Sequence, residues 1–535
     1  MTQVLRLTGT PASPGFARGP LHVLDESVQT VEREPSAAHE EEPRLHAALA
    51  EASAELAELI AAAAGAEAQD ILEFQVAMLA DDTLAAPAFA AIARGAAAGD
   101  AWRAAMDVQI ADYDDASDPY FRARASDLRD MRDRVLRRLA GAGTAAVPAG
   151  AIVVAADLPP SRFLEIPWEH GGIALFEGSP NSHVATLARA RGVPMIVSMT
   201  RAALAAHRDV LLDANSGVLI ASPDGESARA FERRERAARA ADAVDGGFLA
   251  APAVTAGGER VRVTINVAHP SDLAGVAAAH CDGIGLVRTE LVLRTPEELR
   301  DEEHQFALYR DIVAWARGRP ITVRTLDAGG DKPIAGYTAV AEANPFLGMR
   351  GIRLSLQHPD ILLVQLRALA RAAALGNVKI MLPMVTQPAE VEAGRALLGE
   401  AVDALERAGT ACARPELGMM VEVPAAALAI DGFHADFFSI GSNDLIAYVT
   451  ACSRDSDRLA PLQDPLQPAV MRLIRSVAEY GRSAGIEVSV CGDMASDPRC
   501  IAALLDAGVR SLSVAPAALG RVKAATARYG GEALV

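Results

Sequence analysis

Two acidic residues, Glu422 and Asp444, follow apolar runs, in MMVEVPAA and SIGSNDL. Carboxylates there are hard oxygen ligands, and two of them completed by substrate oxygens and water suit Mg²⁺ better than a closed protein cage does. An ordinary ion pair with arginine is the alternative for each, but the apolar residues behind both leave little packing reason to bury an acid. Arg288, in LVRTE, and Arg324, in VRTLDAGGDK, end two earlier runs and carry planar forks matched to phosphate. Asn443 adds a neutral donor beside Asp444. Cys491 ends another run, before Gly492 and Asp493. Most such cysteines are inert core residues; at a polar mouth a thiol donates or accepts a proton. NPFLGMRGIR (344–353) adds Arg350 and Arg353 as further anion contacts. The set suits a small carboxylated and phosphorylated molecule held through a metal ion and arginines.

A second chemical element stands far upstream, in EGSPNSHVATLARARGVP (177–194). The spacing predicts a turn at Gly178-Ser179-Pro180 and a helix from about Val184 to Arg191, with Asn181 as cap and Gly192 as stop. His183 then stands at a helix N-terminus, where free N–H groups and the dipole favour negative charge. A histidine at a helix start is commonly only a surface or capping residue. Here the downstream anion site gives it a second reading, as acceptor of a phosphoryl group in an in-line transfer. If the donor is an enol phosphate, the leaving oxygen becomes an enolate, whose carbon needs an acid. Cys491 fits that task.

These residues need rigid elements to place them. From residue 260 short apolar runs alternate with helical segments: 261–268, 282–290, 321–332, 378–385, 417–426, 436–445, 487–495 and 510–516. The polar residues cluster where the runs finish. A (β/α)₈ barrel, whose C-terminal strand ends meet on one face, is the simplest closed solution, with an open doubly wound sheet as runner-up. Upstream, residues 36–141 read as four or five consecutive helices, a bundle or paired hairpins, inserted in a small α/β domain. The expected organisation is that α/β domain over 1–35 and 142–225, the helical insert over 36–141, a linker helix with a hinge over 226–250, and the barrel over 251–535.

Composition narrows the function classes. The chain has 535 residues, a formal net charge of −18 and five scattered cysteines with no CxxC pair. That argues against a nucleic-acid surface, a disulfide framework and a thiolate zinc site. No apolar run reads as membrane-spanning and the first residues do not read as a secretory signal, so a cytoplasmic protein without membrane insertion is the expectation.

The barrel motifs RTE, VRTLDAGGDK, NPFLGMRGIR, MVEVPAA, GSNDL and CGD, together with the His183 segment and ASPGFARG near the start, resemble the enzyme I family of the bacterial sugar phosphotransferase system, the phosphoenolpyruvate–protein phosphotransferases. The resemblance implies a swivelling phosphohistidine domain and a barrel that binds phosphoenolpyruvate. It implies that His183 takes the phosphoryl group on Nε2, that Glu422 and Asp444 hold Mg²⁺, and that Arg288, Arg324, Asn443 and Arg454 bind substrate. Cys491 then protonates the enolate to pyruvate. The helical insert is the implied docking site for the carrier HPr, or an HPr-like relative, and a homodimer through the barrels is implied as well. The chain departs from the family at Ser179-Pro180-Asn181 before the histidine, at Phe163, where a threonine is frequent, and at the residues around Arg454. Two other readings stand beside this one: a dikinase or synthase, which needs an ATP-binding domain for which 36–141 offers no glycine-rich loop, and a sensor that binds phosphoenolpyruvate without chemistry.

Overall fold

The computed structural model describes residues 4–24, 36–62, 66–114, 119–141, 146–180, 182–204, 207–268, 270–330, 332–334, 336–338, 342, 344–453, 459 and 462–530. The chain divides into two compact units, residues 1–238 and 239–535.

In the first unit the sheet is built from β1 (Leu5–Thr8), β2 (Thr10–Ser13), β3 (Phe16–Val23), β4 (Ile152–Ala155), β5 (Gly172–Leu175), β6 (Met195–Val197), β7 (Asp209–Asp213) and β8 (Val218–Ala221). Its order is β1-β8-β7-β3-β4-β5-β6-β2. β3 to β6 run parallel, whereas β1, β2 and the β7–β8 hairpin pair antiparallel. Only Gly9 separates β1 from β2, yet these are the two outer strands, so the sheet curls round on itself. Side chains alternate as the strand period requires. Ile152 and Val154 of β4 enter one core with Leu212 and Leu219, while Val153 and Ala155 enter another with residues of the helices on the opposite face.

Between β3 and β4 the chain forms α1 (Ala38–Ala62), α2 (Ala66–Leu79), α3 (Asp82–Ala93), α4 (Ala98–Asp114) and α5 (Pro119–Leu139). Their shared core includes Leu45, Leu56, Leu72, Trp102, Met106 and Leu128. Residues 75–93 do reach the length and apolarity of a membrane span, contrary to the sequence reading. Two helices make up that stretch, however: the turn at Ala80 and Asp81 breaks it, and Asp81 caps α3 by accepting from Thr83 N at 2.8 Å. Leu79, Leu84, Ala88 and Ile92 point into the helical core.

α6 (Pro160–Glu165) and α7 (His183–Arg191) pack on the sheet, and α8 (Gly225–Gly247) follows β8 and contains the boundary between the units. The buried Arg134 of α5 reaches Glu55 of α1 at 2.9 Å, and Ser161 and Glu165 of α6 at 2.8 and 2.7 Å. This network fastens the helical insert to the α/β layer.

The second unit is a closed parallel barrel of β9 (Arg262–Val267), β10 (Ile284–Arg288), β11 (Ile321–Arg324), β12 (Val378–Leu382), β13 (Glu416–Val421), β14 (Phe437–Gly441), β15 (Glu487–Cys491) and β16 (Ser511–Val514). β16 pairs with β9 from Ser511↔Arg262 to Val514↔Ile265, which closes the ring and removes the open-sheet alternative. Apolar residues facing outward pack under the helices, while Leu286, Met381, Met420, Phe437 and Cys491 form a separate cluster within the ring.

Candidate active site

All strands of the barrel share one direction, so their C-terminal ends share one rim. Arg288, Arg324 and Cys491 are the last residues of β10, β11 and β15; Glu422 follows β13 directly; Ser442, Asn443 and Asp444 follow β14. Arg454 lies outside the described residues.

The cations of this rim are held by acids that sequence reasoning left without a role. Glu290, fully buried, accepts through Oε1 from Arg288 Nε at 3.2 Å, Arg324 Nη2 at 2.6 Å and Lys332 Nζ at 3.0 Å. Asp327 stands 3.1 Å from Arg324 Nη1 and accepts from Arg350 Nε and Nη2 at 3.0 and 2.9 Å. Arg350 continues to Asp444, from Nη1 to Oδ1 at 3.2 Å and from Nη2 to Oδ2 at 3.0 Å. The result is a chain of alternating charges running from β10 to β14. It corrects the reading of Arg350 as a ligand contact, because this guanidinium is wholly buried between two carboxylates. Arg353 likewise spends its donors on the Leu347 and Gly348 carbonyls and on Thr386. Arg288–Glu290 and Arg324–Asp327 are close in sequence, but the pairs that join one strand end to another were invisible because Arg324–Glu290 and Arg350–Asp444 lie 34 and 94 residues apart. The only sequence signal was that Glu290, Asp327 and Lys332 fall within the quoted motifs.

Burial disfavours each ionised acid, yet the neighbouring cations win. Glu290 is pushed up by desolvation and pulled down more strongly by Arg324, Lys332 and Arg288, from 4.5 to about 2. Asp327 is lowered the same way, against its burial, by Arg324, Lys332 and Arg350. Because the folded value of Glu290 lies below the unfolded one, its stabilisation is complete above about pH 4.5 and is lost as pH falls from there through about 2. The shift corresponds to on the order of 3 kcal/mol. Unfolding free energy is therefore expected to drop between about pH 5 and about pH 2, with Glu290→Gln less stable at neutral pH and showing a flatter drop. Denaturant titrations across that range check it, and parallel profiles for the two proteins would refute it.

Glu422 is 1 % exposed and accepts from Met384 N at 2.7 Å. Met384 holds φ at 59°, a left-handed conformation that is unfavourable for a side-chain-bearing residue. Gly441 leaves room for the acid, since a Cβ there would fall 2.7 Å from Oε2. Burial, then the charges of Asp444 and Asp327, raise Glu422 to about 7. Two carboxylates that disfavour each other's charge at one rim fit a divalent cation in donor type and in electrostatics. Among the described residues no third histidine, cysteine or acid joins them, so an ion held there takes its remaining ligands from substrate and water.

Asn443 and Asp493 hold each other: Nδ2 donates to Oδ2 at 3.1 Å, and Asp493 N donates to Oδ1 at 2.9 Å. Gly492 between the strand end and Asp493 has φ 94°, and a Cβ on it would strike Ser442 and Asn443. Cys491 is buried, which pushes its thiol up to about 11 against the hydrogen bond from Ser439. It carries its proton at neutral pH.

In the first unit, α7 begins at His183, whose side chain lies outside the described residues, as does Asn181. The cap is Ser182 rather than Asn181: its Oγ accepts from Ala185 N at 3.3 Å. Asn181 stands one residue too early for that bond. Gly192, at φ 64°, closes the helix as its sequence position predicts. Arg189 Nη1 donates to the Pro180 carbonyl at 2.7 Å and to the Ala12 carbonyl at 2.8 Å, which braces the preceding turn against β2. Phe163 is buried, stacked on Trp168 with centroids 5.2 Å apart.

Comparison with known proteins bears on both units. The N-terminal region of PEP-utilising enzymes matches residues 8–124, their mobile domain residues 147–217 and their PEP-binding domain residues 243–530. The phosphoenolpyruvate-protein phosphotransferase of Cupriavidus necator is 35 % identical over 559 residues, covering 97 % of this chain and 93 % of its own. That of Bacillus subtilis is 34 % identical over 523 residues, covering 95 % and 92 %. The multiphosphoryl transfer protein of Rhodobacter capsulatus is 36 % identical over 530 residues, covering 97 % of this chain and 63 % of its own. The chain belongs to the PEP-utilising enzymes, within the phosphoenolpyruvate-protein phosphotransferase (enzyme I) family.

Proposed function

We propose that this chain takes the phosphoryl group of phosphoenolpyruvate onto His183 and passes it to a histidine of a small carrier, HPr or HPr-like, releasing pyruvate. The observation that carries the reading is the barrel rim, where arginines, a carboxylate pair and a protonated thiol converge on the ends of β10, β11, β13, β14 and β15.

Arg288 and Arg324 bind the phosphate, held in place by Glu290. Asn443 and Arg454 complete the substrate contacts. Glu422 and Asp444 would hold Mg²⁺, which supplies charge neutralisation on the phosphoryl oxygens when bound. The imidazole Nε2 of His183 attacks phosphorus and the bond from phosphorus to the enol oxygen breaks. The enolate carbon then takes the Cys491 proton and becomes the methyl group of pyruvate. The family resemblance implies a swivelling His183 domain, and residues 226–250 are assigned as its hinge. The helical block, residues 36–141, is assigned to carrier docking. Cytoplasmic location and assembly as a homodimer follow from the family resemblance.

Incubation with labelled phosphoenolpyruvate and Mg²⁺ tests this. The expected product is acid-labile, base-stable label on the protein with pyruvate in equal amount. Label that requires ATP would overturn the reading in favour of a dikinase, and tight binding without label in favour of a sensor.

A further inference from the structure

Strand β14 reads FFSIG, and its alternation sorts its side chains cleanly. Phe438 and Ile440 enter the core between strands and helices, whereas Phe437 belongs to the cluster inside the ring with Cys491. Ser439 therefore shares the inner face, where an apolar residue would pack without cost. A hydroxyl buried there is unfavourable unless it is hydrogen-bonded. The partner it has is the thiol: Ser439 Oγ donates to Cys491 Sγ at 3.6 Å, and Sγ in turn lies 3.5 Å from the Ile440 carbonyl. Ser439 is 1 % exposed and Cys491 2 % exposed, so bulk water does not solvate the sulfur.

We propose that Ser439 is a positioning residue for the protonation step, holding the Cys491 thiol and stabilising the thiolate that remains after the proton has left. This rests on the reading of Cys491 as the acid. In that step a C–H bond forms at the enolate carbon as the S–H bond breaks, and sulfur keeps the electron pair until water returns a proton. A neutral O–H···S bond becomes charge-assisted at the moment sulfur turns negative, and so it strengthens along the reaction. The Ile440 carbonyl accepts from the thiol and has nothing to offer the thiolate. Among the described residues Ser439 is the hydrogen-bond donor to Sγ, and its effect on the thiol opposes that of burial.

The reverse proton transfer isolates this step. The full-length protein with Mg²⁺ and pyruvate in D₂O should exchange the methyl protons of pyruvate for deuterium, followed by NMR, while single-turnover labelling from phosphoenolpyruvate reads phosphoryl transfer alone. Ser439→Thr and Ser439→Val share a shape and differ in the hydroxyl. The expected result is exchange within about threefold of the parent for the threonine variant, and slower by about tenfold or more for the valine variant. Labelling by the two variants should agree within about twofold. Ser439→Ala should follow valine. Equal exchange by the threonine and valine variants would overturn the proposal and leave Ser439 a packing residue. Cys491→Ala separates the two levels of inference. If it abolishes exchange while valine and threonine at 439 behave alike, only the serine assignment falls. If it leaves exchange intact, the acid assignment itself falls.

Discussion

His183→Ala is expected to abolish the acid-labile label and all transfer to a carrier, a fall beyond about a thousandfold, while pyruvate methyl exchange stays within about twofold of the parent protein. The asymmetry follows from where the groups lie. Arg288, Arg324, Glu422, Asn443, Asp444 and Cys491 all belong to residues 239–535, whereas His183 belongs to residues 1–238. The helix that starts at His183 keeps its own supports: the Ser182 cap, the Gly192 stop and the Arg189 brace. Alanine is the best helix former, so the helix itself tolerates the substitution. A nucleophile has no substitute within such a design, and an enol phosphate bound without one goes nowhere. Undiminished label in the variant would show that another residue accepts the phosphoryl group. Loss of exchange together with label would show that the histidine also serves the proton step.

The barrel was legible because parallel strands covered on both faces read as apolar runs, and five of the eight runs here are marked by polar residues at their ends. Arg288, Glu422, Asp444 and Cys491 could thus be placed on one rim before any coordinates. What escaped was lateral. Glu290 joins Arg324 from 34 positions away and Lys332 from 42, and nothing in a linear pattern pairs a strand end with its neighbour across a helix. Ser439 hid for the opposite reason, as one hydroxyl inside an apolar run that the period of two places on the inner face. Arg350 was recognised as an anion binder, but its anions proved to be Asp327 and Asp444. The curl of the first sheet rests on the single residue Gly9, too local a feature for composition to reveal. The cap moved from Asn181 to Ser182 because both residue types suit the role and only backbone geometry separates them.

Arg350→Met should lower the stability of the barrel by about 3–5 kcal/mol, the usual consequence of removing one partner from a buried ionic network. The guanidinium has no exposed surface and spends four of its donor contacts on two carboxylates, with Tyr448 OH a further 3.5 Å from Nη1. Asp327 and Asp444 between them raise its affinity for the proton, against burial. Methionine fills much of the volume but brings no charge, so Asp327 is left to Arg324 and Lys332, and Asp444 loses the cation that balanced its charge. The lysine variant keeps one charge and loses the planar fork, and an intermediate loss of about 1–3 kcal/mol is expected. Urea titration of the full chain reads both, in the transition that the two variants shift if the units unfold separately. Pairing Arg350→Met with Asp444→Asn should recover about 1–2 kcal/mol, since the destabilisation is an uncompensated buried charge rather than a lost contact. A loss below about 1 kcal/mol for the methionine variant, or strict additivity in the pair, would mean that the alternating charges from Glu290 to Asp444 do not act as one network.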